Sequence, residues 1–201
     1  MKSQYNPNKH HRKSIRLKGY DYAKEGLYFI TVCCQDRICL FGEVKDGKMM
    51  LNDAGKVAEE CWLAIPNHFP NVVLHEHVVM PNHIHGVIEI AEDKRLSSTN
   101  AVVRAKNISP PSFEDEVQNL SSKSLLGGAK NLSPLRTVGS IVRGFKIGVT
   151  KWMRQNTKIY DVWHRNYYEH IIRNEQAYNN ISNYIINNPT NWEKDKFYYK
   201  V

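Results

Sequence analysis

His83 and His85 stand one residue apart in the run HIHGVIEI. The run is apolar and rich in β-branched residues, so it reads as a strand, on which residues i and i+2 face the same way. The two imidazoles therefore project together, about 7 Å apart along the strand, and Ile84 points into the opposite layer. Two imidazoles so placed can chelate one divalent cation, although a bare His-x-His is a weak signal in a chain with nine histidines. His75-Glu76-His77 has the same spacing one strand earlier. Its central carboxylate would be buried if its histidines faced solvent, so it reads as the outer end of a strand and ranks below His83 and His85. Further on, Tyr184 and Asn188 are four residues apart and share a helix face. Tyr178 lies roughly 120° around that helix from Tyr184. Packing beside Ile181 and Ile185 would by itself account for Tyr184. With an ordinary pKa near 10, a tyrosine becomes a useful nucleophile only beside something that activates the electrophile or stabilises the phenolate, such as a bound metal.

These residues need elements to position them. The run LYFITVCCQ at 27–35 is a strand by composition. Asp46-Gly47 between two short apolar stretches marks a tight hairpin. Asn52 or Asp53 caps a helix whose apolar positions Ala54, Val57, Ala58, Cys61, Trp62 and Ile65 recur at helical spacing, with Pro66 and Pro70 ending it. Residues 71–80 and 83–90 form an antiparallel pair about Pro81-Asn82. Val138, Ile141, Val142, Phe145, Val149 and Trp152 line a second helix. Residues 159–172 read as a strand, and Asn174 caps a last helix from Glu175 to Asn188, with Pro189 beyond it. The order strand, helix, strand, strand, helix, strand, helix predicts an α+β, ferredoxin-like split βαβ core with an antiparallel sheet and an added C-terminal helix. That fold hosts many functions, so function has to come from the site.

Residues 1–18 carry six basic side chains (Lys2, Lys9, Arg12, Lys13, Arg16, Lys18) and no acid, and read as a flexible arm. Residues 92–134 are rich in Ser, Asn, Pro and Gly and repeat AKNISP as AKNLSP, so they read as a polar, mobile insertion in a single domain over 19–201. With 28 Lys+Arg against 20 Asp+Glu the chain carries +8, which favours a polyanionic partner, most commonly nucleic acid. No run of 18 apolar residues and no signal-peptide pattern is present, so a cytoplasmic, nucleoid-associated bacterial protein with no membrane partner is expected. Cys33, Cys34, Cys39 and Cys61 have no metal-ribbon spacing and read as free thiols.

Six segments together carry a more specific signal: RLKGYDYAKEGLYFITVCCQDR, HFPNVVL, HVVMPNHIHGVIEI, GSIVRGFKIGVTKW, VWHRNYYEHIIRNE and NYIINNPTNW. In this order, over roughly residues 14–90 and 136–192, the chain resembles the REP-associated tyrosine transposases of the HUH single-strand transposase superfamily. The insertion at 92–134 has no counterpart in that resemblance.

The resemblance implies a site. His83 and His85 would hold a divalent metal, Mg²⁺ or Mn²⁺, with the amide oxygen of Asn188 completing it. Tyr184 would be the nucleophile, cutting single-stranded DNA beside a palindromic hairpin and leaving a 5′-phosphotyrosine and a free 3′-hydroxyl. No Gly-rich phosphate loop is present, in keeping with a reaction that needs no nucleotide cofactor. Arg12, Arg16, Lys18, Arg143 and Lys146 are candidates to track phosphates, and Arg165 and His170 to contact DNA near the site. Tyr20, Tyr22 and Trp163 are candidates for base stacking. The resemblance leaves monomer and homodimer open. Three other readings compete: a replication initiator or relaxase, a domesticated hairpin-binding protein that no longer cuts, and a metal-dependent hydrolase, which would want more carboxylates than are at hand.

Overall fold

The computed structural model describes residues 19–91 and 137–198. The basic arm, with Arg12, Arg16 and Lys18, and the polar segment 92–134 lie outside the described residues. Elements in chain order are β1 (Gly26–Cys33), β2 (Gly42–Lys45), β3 (Lys48–Leu51), α1 (Asp53–Leu63), α2 (Ile65–His68), β4 (Val72–Met80), β5 (His83–Ile90), α3 (Val138–Asn156), β6 (Tyr168–Ile172) and α4 (Glu175–Ile186), with single 3-10 turns at Gln35–Arg37 and Trp192–Lys194.

Four strands form the main sheet in the order β4-β5-β1-β6, each antiparallel to its neighbours. β1 and β4 run parallel with β5 between them, and β5 and β6 run parallel with β1 between them. This is the split βαβ arrangement expected from the order of elements. The side chains of Tyr28, Ile30, Val32, Ile84, Ile88 and Ile90 enter one layer with Ala58 and Trp62 of α1 and Ile141, Phe145 and Val149 of α3. The other face receives α4, where Val87 and Ile172 pack on Ile185. Cover on both faces explains why β5 is buried along almost its whole length. Trp62 lies so close to β5 that a Cβ on Gly86 would fall 2.3 Å from Cζ2 of its indole, so only glycine fits there.

Local signals set the ends of these elements. Asp46 and Gly47 both have positive φ (50° and 69°), the requirement of the two-residue turn that joins β2 to β3. Asn52 caps α1 by accepting from Gly55 N at 2.9 Å, and its amide donates to Leu40 O. Thr137 and Asn174 cap α3 and α4 in the same way.

Three expectations need correction. The strand foreseen over 159–172 is confined to β6, apart from one bridge between Trp163 and Cys34. The chain before it crosses the end of the sheet, where Lys146 Nζ holds the carbonyls of His164 and Asn166 at 2.8 and 3.0 Å. Pro66 sits in the first turn of α2 rather than simply ending α1, because a missing N–H costs nothing there. His75-Glu76-His77 lies in the middle of edge strand β4, with a register shift between Leu74 and His77. The bulge turns His75 towards Tyr178 of α4 and His77 towards Trp62 of α1, so this His-x-His pair does not share a face.

Candidate metal and nucleophile site

β5 begins immediately after the Pro81-Asn82 turn, which places His83 and His85 at the end of a central strand on the α4 face. Their ring centroids are 4.4 Å apart. Asn82 is buried and sets the first ring. Its Nδ2 donates to Arg37 O at 3.1 Å and Phe197 O at 2.9 Å, which fixes the amide orientation and turns Oδ1 towards His83 Nδ1 at 2.9 Å. An acceptor there requires the proton on Nδ1. His83 Nε2 therefore carries a lone pair, is buried, and has no hydrogen-bond partner.

His85 is held at both nitrogens, with Thr31 Oγ1 2.7 Å from Nδ1 and Tyr184 Oη 3.1 Å from Nε2. The Tyr184 hydroxyl donates to Asp195 Oδ2 at 2.9 Å. The same oxygen accepts from Asn188 Nδ2 at 2.7 Å, and Asp195 Oδ1 accepts from Phe197 N at 2.7 Å. Asn188 is buried, and its Oδ1 has no partner. Phe29 packs edge-on against the Tyr184 ring, with centroids 6.2 Å apart. One ligand atom each from His83, His85 and Asp195 lie within 4.8 Å of one another.

Burial dominates the electrostatics. It pushes His83 down to about 4, with the Lys196 charge adding to the effect and Asp195 opposing it. His85 is pushed well below its ordinary value by burial, by His83 and by Lys196. Both rings are therefore neutral at pH 7, the form that donates a lone pair. Burial raises Tyr184 above its ordinary value, and its hydrogen bond to Asp195 raises it further. Burial alone would raise Asp195, but hydrogen bonds from Phe197 N, Asn188 and Tyr184 outweigh it and keep the carboxyl below its usual range. Two neutral imidazoles and a carboxylate suit a divalent cation, and an orphaned buried nitrogen aimed among them is what a ligand site leaves when read without its ion.

The structure brings together His83, His85, Tyr184 and Asn188. It adds Asp195, which sequence reasoning missed. Asp195 lies beyond the helix, after the turn Trp192–Lys194, so no periodicity ties it to Tyr184. An open depression of about 220 Å³ adjoins the group, lined by Tyr184, Asn187, Asn188, Asn191, Lys194 and Asp195. His170 is on the same face, with its backbone paired to Phe29. Arg143 and Lys146 belong to α3, in the layer on the opposite side of the sheet, and Arg165 is exposed in the loop before β6. Tyr20, Tyr22 and Trp163 pack against the core rather than standing free for bases. Tyr178 donates to Glu76 Oε2 at 2.9 Å, a group that also accepts from Ser182, and this pins α4 to β4.

No family model matches this chain. An uncharacterized protein of Haemophilus influenzae (strain ATCC 51907 / DSM 11121 / KW20 / Rd) is 46% identical over 198 residues, covering 98% of this chain and 99% of the other. The two belong to one family. Among solved structures, a REP-associated tyrosine transposase bound to a REP hairpin superposes with a TM-score of 0.52 at 18% identity, covering 90% of this chain and 77% of that one. The chain has that fold, the fold of the family its sequence resembles. Among the described residues, no helix is long and apolar enough to cross a membrane.

Proposed function

We propose that this chain, which carries the fold of a REP-associated tyrosine transposase, is a metal-dependent enzyme that cuts and rejoins single-stranded DNA beside hairpin-forming palindromes. The observation that carries the reading is the position of the Tyr184 hydroxyl, 3.1 Å from His85 Nε2 and 2.9 Å from Asp195 Oδ2. The Tyr184 side chain is exposed, so its phenol is open to a substrate while its hydroxyl is held by two potential metal ligands.

His83 Nε2, His85 Nε2 with its proton moved to Nδ1, where Thr31 Oγ1 can accept it, and an Asp195 oxygen would hold the cation, Mg²⁺ or Mn²⁺, with Asn188 Oδ1 as a further oxygen donor. When bound, it would withdraw charge from the scissile phosphate. The chain's own residues do the rest. Phe29 and the α4 backbone keep the Tyr184 ring in place, and Asp195 is already hydrogen-bonded to its proton. The phenolic oxygen attacks phosphorus as that proton passes to Asp195. The new bond joins the tyrosine oxygen to the 5′ side, and the bond to the 3′-oxygen breaks, so that oxygen leaves and takes a proton from solvent. The phosphodiester linkage is conserved, and a second strand's 3′-hydroxyl can reverse the step without a nucleotide cofactor.

Arg165 and His170, with Arg12, Arg16 and Lys18 of the arm, are the proposed phosphate contacts. Arg143 and Lys146 would serve a strand that reaches the helix layer. Two donors of Lys146 are taken by backbone carbonyls, which leaves its third for a phosphate.

The test is cleavage of labelled hairpin oligonucleotides in Mg²⁺, Mn²⁺ or EDTA. The wild type should give an SDS-resistant protein–DNA adduct in metal only, and Tyr184→Phe should give none. An adduct that persists in the variant would move the nucleophile to another tyrosine. Tight binding without an adduct in any metal would leave a hairpin-binding protein that does not cut.

A further inference from the structure

Among the described residues, α4 packs mainly on β4 and β5 and meets the β1–β6 half of the same sheet face at Phe29 and Ile172, with Tyr168 and His170 left exposed. The strand register says what stands there. His85, Thr31 and Tyr168 are directly paired across β5, β1 and β6, and Val87, Phe29 and His170 form the next row. Directly opposed residues point to the same face, and the hydrogen bond from Thr31 to His85 identifies it as the face of the site. Tyr168 is 51% exposed and His170 is exposed beside it, while Ile172, at the far end of the strand, is buried under α4. The aromatic surface is continuous with the nucleophile through Phe29, which touches both His85 and Tyr184. At the other end Tyr168 approaches Phe197, with centroids 6.4 Å apart. Two cations rim that end, Lys196 Nζ at 4.8 Å and Arg37 Cζ at 5.7 Å from the Phe197 centroid. Glu169, between the two exposed residues of β6, points to the opposite face by strand alternation.

A single exposed aromatic needs no explanation. Here, however, an exposed tyrosine shares a register row with His85, next to the nucleophile, under a rim of positive charge. We propose that Tyr168, with His170 and Phe29 beside it, is the platform on which unpaired bases adjoining the scissile phosphate stack, their backbone running past Arg37 and Lys196. The occupant is single-stranded DNA. Every base offers a π-face, so the platform is tolerant of sequence, whereas the cations answer the phosphates. Duplex stems, with their bases stacked internally, gain nothing from it. The inference rests on the reading of the site as a single-strand nuclease, and it gives β6 the task of holding the substrate in place while α4 supplies the attacking oxygen.

The experiment uses the full chain in EDTA, so that no strand is cut, and a DNA hairpin whose single-stranded flank carries 2-aminopurine at successive positions. The wild type should quench the fluorescence of one or two flank positions. Tyr168→Ala should abolish that quenching and weaken flank-dependent binding about tenfold, within the range a lost base stack gives, and Tyr168→Phe should restore both. An abasic site at the quenched position should cost as much as Tyr168→Ala, and the two together little more than either alone. A blunt hairpin without a flank should bind wild type and Tyr168→Ala equally. Unchanged quenching and affinity in Tyr168→Ala would overturn the platform. Failure of the parent reading looks different: the wild type would bind no hairpin, or bind it and form no adduct once Mg²⁺ or Mn²⁺ is supplied.

Discussion

The two nitrogens of His83 keep unequal company. One is tied to Asn82 and the other faces Asp195 and His85 with no partner of its own. The proton position is thus fixed from behind by an amide whose own orientation is fixed by two backbone carbonyls. Outer contacts of this kind are typically worth 10- to 100-fold in metal affinity. Asn82→Ala should therefore weaken Mn²⁺ binding by about that factor in calorimetric titration, with His83 and His85 both intact. Thiol chemistry checks the burial pattern independently. Burial pushes Cys33 up to about 11 and Cys34 well above its ordinary value, whereas Cys39 is exposed. The thiolate is the reactive form, so alkylation of the native protein at pH 8 should fall on Cys39 first. Labelling of Cys33 should rise only as the pH approaches 11, which peptide mapping by mass spectrometry would follow.

Among the elements, β5 carries the tightest constraint, because Trp62 presses on it directly behind His85. Gly86→Ala would drive a methyl group into the indole, and overpacking of this kind typically costs 1–3 kcal/mol. Urea unfolding should show a lower midpoint at an unchanged slope. What the sequence made legible at this scale was local. The caps at Asn52 and Asn174, the Asp46-Gly47 turn and the alternation of β5 each depend on residues within a few positions of one another. The β4 bulge was not legible, since HEH has the spacing of HIH and only pairing with β5 reveals the extra residue. The loop before β6 reads as strand because Ile159, Tyr160, Val162, Trp163 and Tyr167 have strand composition. There, tertiary bonds from Lys146 and Cys33 outweigh propensity. Helical spacing showed that Tyr184 and Asn188 share a face, but only the resemblance gave them roles, and Asp195 was not legible because a turn separates it from the helix.

At the scale of the whole molecule, the proposed site joins four separate stretches of chain: Thr31, the His83–His85 end of β5, the Tyr184–Asn188 helix end and Asp195. A cation bound by the folded state alone stabilises that state by mass action, about 2.7 kcal/mol at a hundredfold excess over Kd. For a domain of this size that is a rise in Tm of roughly 5–10 °C. Differential scanning fluorimetry should show such a rise with Mn²⁺, reversed by EDTA and lost in His83→Ala. The readout is the shift, not the starting Tm.

The oxygens that steer Asn82 belong to the main chain of Arg37 and Phe197. A main-chain carbonyl does not depend on side-chain identity, so the instruction that sets the His83 tautomer survives any side-chain change that keeps the backbone at its anchors, left-handed at 37 (φ 56°). The Arg37 side chain is exposed and free to vary in this respect, whereas the Phe197 ring packs on His83 and is held for a separate reason. In a saturation-mutagenesis map read by metal affinity, intolerance should therefore fall on position 82, whereas changes at position 37, left-handed at φ 56° and a proposed phosphate contact, should tell on backbone strain and DNA binding instead.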